Sequence, residues 1–185
     1  MSSLVNLAGK KGLIVGIANQ DSIAYGIGKK VVAAGATIAA TYLNEKAGVY
    51  VRPLAEELNA DLILPCNVMV DGELEAVYEE ITKKWGKLDF VVHSIAFAPL
   101  ADLHGRIVDC SAEAFKQAMD VSCHSFIRMA KLAEPLMKDG GALVNLSYYG
   151  ADKVIPNYNM MGPVKAALES ATRYIGYELA EKRIR

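Results

Sequence analysis

Short apolar runs alternate along this chain with longer stretches in which apolar residues recur every three or four positions. The runs occupy 12–16, 37–42, 61–66, 88–93 and 141–147. Each is too short for a buried helix and too continuously apolar for a strand with one wet face, so five strands covered on both faces are predicted. The amphipathic stretches predict helices over about 22–34, 46–58, 73–85, 111–137 and 160–181, the fourth opened by Ser111 as N-cap. Strand and helix in strict alternation imply a parallel sheet with helices on both sides. Right-handed crossovers then make a doubly wound, three-layer α/β fold of the Rossmann-like kind, with strand order 3-2-1-4-5. No low-complexity linker interrupts the pattern, and one domain is expected across residues 1–185.

Bulk composition narrows the function by exclusion. The chain is 52% hydrophobic and 22% charged, as in ordinary globular proteins. A formal net charge of −1 gives no reason to expect nucleic acid, and basic pairs such as Lys10-Lys11 and Lys83-Lys84 read as solvated surface. No uninterrupted apolar segment reaches membrane length, and the N-terminal residues lack a secretory pattern. Cys66, Cys110 and Cys123 form neither a disulfide framework nor a metal-ligand spacing; Cys66, closing an apolar run, reads as a buried structural thiol. His93, His104 and His124 are equally dispersed, so no metal is expected. A reducing cytoplasm suits this cysteine usage.

Candidate chemistry collects where strands end. After the first strand, Gly16 is followed by a polar loop and then by Ser22-Ile23-Ala24-Tyr25-Gly26 at a helix start. Gly16 would let backbone approach a pyrophosphate, Ser22 and the first free amides of the helix would bind its oxygens, and Gly26 would permit close helix–strand packing. An ordinary βα turn with a serine cap explains this segment equally well. Asn67-Val68 follows the third strand, His93-Ser94-Ile95-Ala96 the fourth, and Ser147-Tyr148 the fifth. Tyr158 and Lys165 are seven residues apart, two helical turns, so a phenol and an ammonium are expected from one helix face. A cation beside a phenol favours phenolate and readies it as a proton donor to a developing oxyanion. Taken alone, such a pair is usually a half-buried ring and a solvated amine. Four successive strand ends able to face one ligand are harder to explain as packing.

Together these residues resemble the short-chain dehydrogenase/reductase superfamily and, within it, the bacterial enoyl-acyl-carrier-protein reductases of fatty-acid synthesis. The most specific elements are Gly16 with 22–26, the run 93–99, and 146–150 with 156–162 and Lys165. Most of the superfamily carries Tyr-x-x-x-Lys with a Ser about thirteen residues before the Tyr. Here those positions hold Met161 and Tyr148, and the phenol stands earlier, at Tyr158, as in enoyl reductases. The resemblance therefore implies reduction of a trans-2-enoyl thioester on acyl carrier protein by hydride from NADH, with NADPH open. It implies Tyr158 as donor to the thioester oxygen, Lys165 on the nicotinamide ribose, and Tyr148 supporting the oxyanion and shaping the acyl pocket. It places Gly16, Ser22 and Ile23 on the pyrophosphate, Asn67 and Val68 at the adenine, Ile95 near the nicotinamide ribose, and Ala98 on the substrate pocket. A cytoplasmic homotetramer is implied too, and Ala118, Met119, Val121, Phe126, Ile127 and Met129 offer more apolar positions than one buried face requires. The other readings are a non-catalytic dinucleotide-binding module and a carbonyl reductase of the same superfamily.

Two departures from the family pattern stand out at the adenosine end. Asn67 replaces the usual Asp, and Leu43 replaces a polar residue near the adenosine ribose, with Lys46 close by. Members of the family also continue with a sixth strand, a substrate-binding loop and a seventh strand. Here the sequence stops at Arg183-Ile184-Arg185, where that sixth strand is expected to begin, so a C-terminal truncation is expected.

Overall fold

The structure is a computed structural model, and it describes residues 5–185. Five parallel strands, β1 (Lys11–Val15), β2 (Thr37–Tyr42), β3 (Leu62–Pro65), β4 (Phe90–His93) and β5 (Ala142–Asn145), form one sheet in the order β3-β2-β1-β4-β5. The expected topology is the observed one. Neighbouring side chains on a strand enter different cores. Leu13, Val15, Ala39, Val91 and Leu143 pack into one cluster, while Ile14, Ile38, Ala40 and Val92 pack into the other. That division is why the strands read as continuous apolar runs rather than alternating ones.

Helices α1 (Ile23–Ala33) and α2 (Glu45–Glu57) cover the second cluster, and α3 (Glu73–Trp85) covers the first. A one-turn helix, α4 (Leu100–Leu103), follows β4 and was not expected from the sequence. The long helix predicted over 111–137 is real but interrupted. It comprises α5 (Ala112–Met119), a π-helical turn (Asp120–His124), α6 (Ser125–Ala133) and a 3-10 turn (Glu134–Leu136). Ser111 caps it as expected, its hydroxyl accepting from Ala114 N at 3.1 Å. Within the π turn Ser122 Oγ reaches sideways to Phe97, accepting from its N–H at 3.0 Å and donating to its carbonyl at 3.2 Å. Pro135, lacking an N–H, ends the α-helical stretch. The closing helix, α7, runs Met161–Glu178.

The close-packing role expected of Gly26 falls to a different glycine. A Cβ on Gly26 would meet nothing within 4 Å, so that residue does not serve close packing. Gly28 does: a Cβ there would fall 2.7 Å from Leu58 Cδ1 and 3.5 Å from Ile14 Cδ1. The apolar excess on the α5–α6 stretch is also largely used within the chain. Ala118, Val121, Phe126 and Met129 are buried, Met119 packs against the core, and only Ile127 of the six is exposed, at 39%. At the other edge of the sheet, Arg183–Arg185 run beside β5, with Gly141 N donating to Arg183 O at 3.1 Å and Leu143 N to Arg185 O at 2.7 Å. No described helix is long and apolar enough to cross a membrane.

Candidate active site

The carboxyl ends of the strands open onto one crevice with two compartments. The first, about 480 Å3, is lined by Gly16 after β1, Leu43 and Asn44 after β2, Asn67 and Val68 after β3, and Ser94–Phe97 after β4. The second, about 490 Å3, is lined by Leu146, Ser147 and Tyr148 after β5, together with Pro156, Tyr158 and Lys165. Ser94, Ile95 and Ala96 belong to both, so β4 joins the compartments. A crevice at the point where strand order reverses is the binding position of doubly wound folds.

Gly16 makes the first compartment possible. Its φ is +116°, and a Cβ would sit 2.1 Å from the Ser94 carbonyl oxygen, so only glycine lets the β1 exit lie flat against the β4 exit. Ser22 is the N-cap residue of α1 by position, but its side chain makes no cap. Its hydroxyl donates to Asn19 O at 2.6 Å and so shapes the loop between β1 and α1. Ser22 and Ile23 stand at the head of α1 but are not on the compartment wall, and Ile23 is exposed. The first amides of α1 remain without intrahelical partners, as at any helix N-terminus. The Asn67–Val68 segment is held from outside. Asn67 N donates to Glu73 Oε2 at 2.6 Å, and Arg128 Nη1 donates to Val68 O at 2.7 Å. Asn67 Oδ1 accepts from Met69 N at 3.1 Å, which identifies the oxygen and leaves Nδ2 as its donor group. Among the described residues no carboxylate lines this compartment at the end of β2: Asn44 caps α2 through Ala47 N, and Glu45 is paired with Arg52 at 2.9 Å.

In the second compartment Tyr158 is not on a helix with Lys165, contrary to the two-turn expectation. It sits in the turn before α7, between Asn157 and Asn159, whose φ values of 64° and 42° are left-handed. A helix cannot pass through such residues, and asparagine is among the few that tolerate them. The turn before α7, not a shared helix face, therefore brings Tyr158 to the compartment that Lys165 lines. The Tyr158 ring lies against Tyr148, centroids 4.7 Å apart and planes inclined by 60°. Gly150 makes room for that seat, because a Cβ there would lie 2.5 Å from Tyr158 Cδ1 and 3.2 Å from Tyr148 Cδ1. Ala98 is on neither compartment wall; half-buried, it packs with Tyr158 against the cluster of Ala114, Ala118, Met160, Met161 and Val164.

The electrostatics also differ from expectation. Lys165 is only 6% exposed, and its ammonium donates to Leu146 O at 2.6 Å. Burial pulls its pKa below the usual lysine value, with Cys123 acting weakly the other way. Burial pushes the Tyr158 phenol above its ordinary range, and Tyr148 adds to the rise. The phenol is thus not primed as phenolate by the lysine; it stays protonated, which is the form a hydrogen-bond donor needs. Lys165 is felt instead at His93, whose pKa burial lowers to about 4, the lysine charge assisting. His93 Nε2 lies 2.7 Å from Ser125 Oγ, whose own proton goes to Val121 O. The imidazole therefore donates from Nε2, and its buried Nδ1 has no partner among the described residues. Cys66 is buried, its thiol pushed up to about 12 by burial. No group of three potential metal ligands occurs among the described residues.

Sequence reasoning missed Asn157, Asn159 and Gly150 as shapers of the site. The signal was an Asn on each side of the candidate phenol, since asparagine is enriched in left-handed backbone. Gly150 carried no such sign, because its role is a ring contact made across a turn.

Fold and crevice define a dinucleotide-binding α/β domain with a phenol and a buried lysine at one end. The family described as Enoyl-(Acyl carrier protein) reductase matches residues 16–185. An NADH-type enoyl-[acyl-carrier-protein] reductase of Rhizobium meliloti is 46% identical over 185 residues, covering all of this chain and 68% of the relative. One from Aquifex aeolicus is 46% identical over 176 residues, covering 95% of this chain and 65% of its own length. The crystal structure of the enoyl-acyl-carrier-protein reductase of Anaplasma phagocytophilum in complex with NAD superposes with a TM-score of 0.96 at 46% identity. It covers 100% of this chain and 71% of that one. The chain spans about two thirds of the length of these curated relatives. It belongs to the enoyl-acyl-carrier-protein reductase family, within the short-chain dehydrogenase/reductases.

Proposed function

We propose that this protein reduces the carbon–carbon double bond of a trans-2-enoyl thioester carried on acyl carrier protein, using NADH, in fatty-acid elongation. The observation that carries the reading is a substitution of position. Tyr158 opens onto the compartment shared by Lys165 and Ile95, while Met161, where carbonyl-reducing relatives hold their tyrosine, is buried at 5% exposure. A carbonyl reductase would have no phenol at its usual place.

The dinucleotide fits the residues present. Gly16 leaves flat backbone where a Cβ would collide, the α1 amides are free for phosphate oxygens, and Asn67 and Val68 bound the purine end. The ribose end has no carboxylate to repel a 2′-phosphate, so NADPH is a usable second donor. When bound, the nicotinamide supplies the hydride that goes to the β-carbon. Tyr158 then donates a hydrogen bond, or its proton, to the thioester oxygen where enolate charge gathers. Lys165, anchored by Leu146 O, holds the nicotinamide ribose and keeps positive charge at that end of the crevice. Tyr148 backs the Tyr158 ring and, half exposed, forms part of the acyl wall, while Ala98 acts from behind that wall, in the cluster on which Tyr158 packs. We place the enzyme in the cytoplasm, which suits three free cysteines, and assign it a homotetramer by family habit.

The test is absorbance loss of NADH, and separately NADPH, with a short trans-2-enoyl thioester and with a 3-ketoacyl thioester. Oxidation with the enoyl substrate alone supports the proposal. Oxidation with the ketoacyl substrate alone selects a carbonyl reductase, and tight cofactor binding with no turnover selects a binding module.

A further inference from the structure

The segment 99–110 follows β4 and forms a rim beside the catalytic turn, exposing Leu100, Ile107 and Val108. It carries little regular structure. Its one-turn helix α4 ends in carbonyl groups that no backbone N–H among the described residues satisfies, as helix C-termini do. Leu103 O and Gly105 O are met instead from the far side of the site. Asn159 Nδ2 donates to both, at 2.5 Å to Leu103 O. The same residue follows Tyr158 and is one of the two left-handed asparagines that shape the tyrosine turn. It is fixed from its C-terminal side as well, because Gly162 N donates to Asn159 O at 3.0 Å and Met160 is fully buried. The other end of the segment is tied separately, with Ser111 N donating to Asp102 Oδ1 at 2.7 Å.

From these contacts we infer that Asn159 is a positioning residue for the reaction: its side-chain amide locks the rim segment to the turn that aims Tyr158. The inference rests on the enoyl-reductase reading of Tyr158. Both protons of one amide group are used, one for each carbonyl, so the link requires a donor and not merely a polar group. The left-handed backbone and the amide clamp are separate contributions of one residue, and different substitutions separate them. Ile107, Val154, Ile155 and Pro163 share a third cavity, about 470 Å3, with Asn159 and Tyr158. Movement of the rim therefore changes the apolar wall behind the phenol, where substrate chain would lie.

Asn159→Gly keeps the left-handed backbone and deletes the clamp. Asn159→Asp keeps the size and tolerates the backbone but sets a carboxylate against two carbonyl oxygens. Steady-state kinetics with a trans-2-enoyl thioester, NADH affinity by fluorescence, thermal midpoint and amide hydrogen exchange would be measured on both variants and the parent. Expected is a fall in kcat of about tenfold for Gly and about a hundredfold for Asp, in the range that displacement by ångströms produces. NADH affinity should stay within twofold, and exchange should accelerate at amides in 103–109. Exchange needs no turnover, so an inactive parent would sink the enoyl-reductase proposal without hiding the clamp. Parent-like kcat and exchange in both variants would overturn the clamp. So would a parallel loss of NADH affinity and thermal midpoint, which would mark Asn159 as a general structural residue.

Discussion

Replacing Gly150 with alanine adds one methyl group against the two aromatic rings of the site. The new Cβ would stand 2.5 Å from Cδ1 and 2.8 Å from Cε1 of Tyr158, and 3.2 Å from Cδ1 of Tyr148. Carbon atoms settle near 3.5 Å, so the Tyr158 ring has to retreat by roughly 1 Å. Its backbone cannot follow, because it is held between left-handed Asn157 and Asn159 and by Met161 N donating to Tyr158 O at 3.0 Å. The ring therefore turns toward the cavity walled by Ile107, Val154 and Ile155, carrying the hydroxyl off its line. A misplacement of about 1 Å costs on the order of a hundredfold in turnover, which is about 2.7 kcal/mol of barrier. The assay is NADH absorbance with saturating trans-2-enoyl thioester, beside NADH affinity by fluorescence quenching. Affinity should not change, since the compartment proposed for the purine lies at the other end of the crevice. Gly176→Ala on α7 is the control: nothing lies within 4 Å of its Cβ. It should leave kcat untouched and stabilise the helix by up to about 1 kcal/mol. If Gly150→Ala turned over within threefold of the parent, the geometry of the tyrosine seat would not govern the reaction.

Other consequences can be checked independently. Tyr158→Phe should lower kcat by about 10² to 10³, as loss of one oxyanion donor does, while NADH binds as before; unchanged turnover would remove Tyr158 from its role. Lys165→Ala should weaken NADH binding as well as turnover, and survival of both would make the lysine structural. His93 should make stability pH dependent. Its folded pKa of about 4 lies below the unfolded value of 6.5, so the unfolded chain gains the proton first as pH falls. Stability is then complete above pH 6.5 and is lost between 6.5 and 4, by roughly 3 kcal/mol. Urea titrations across that window should find the slope in the parent and a flatter profile in His93→Gln; equal slopes would mean the imidazole is not held neutral. Cys66, buried with its pKa at about 12, should resist iodoacetamide in the folded protein while half-buried Cys110 is alkylated first, and mass mapping that found Cys66 labelled early would contradict its burial.

Strand order, helix alternation and the crevice at the strand ends were legible in the sequence because they follow from hydrophobic periodicity and right-handed connection, both local or topological rules. The sequence also pointed to Tyr148, Tyr158, Lys165, Gly16, Asn67, Val68 and Ile95, and all seven line the crevice, most of them because they follow a strand end. Three things were decided only by tertiary packing. The helix over 111–137 reads as continuous, yet it takes a π turn where Ser122 bonds across to Phe97, a residue 25 positions earlier. Gly26 and Gly28 look alike in a helix start, and only the approach of Leu58, just past the end of α2, picks out the second. Tyr158 and Lys165 have helical spacing but share a compartment through a turn of left-handed asparagines, and burial, not the lysine ammonium, sets the state of the phenol. Periodicity reports which face of an element is dry. It carries no information on which atoms from distant elements fill that face, and those contacts settle the aim and protonation of the groups that react.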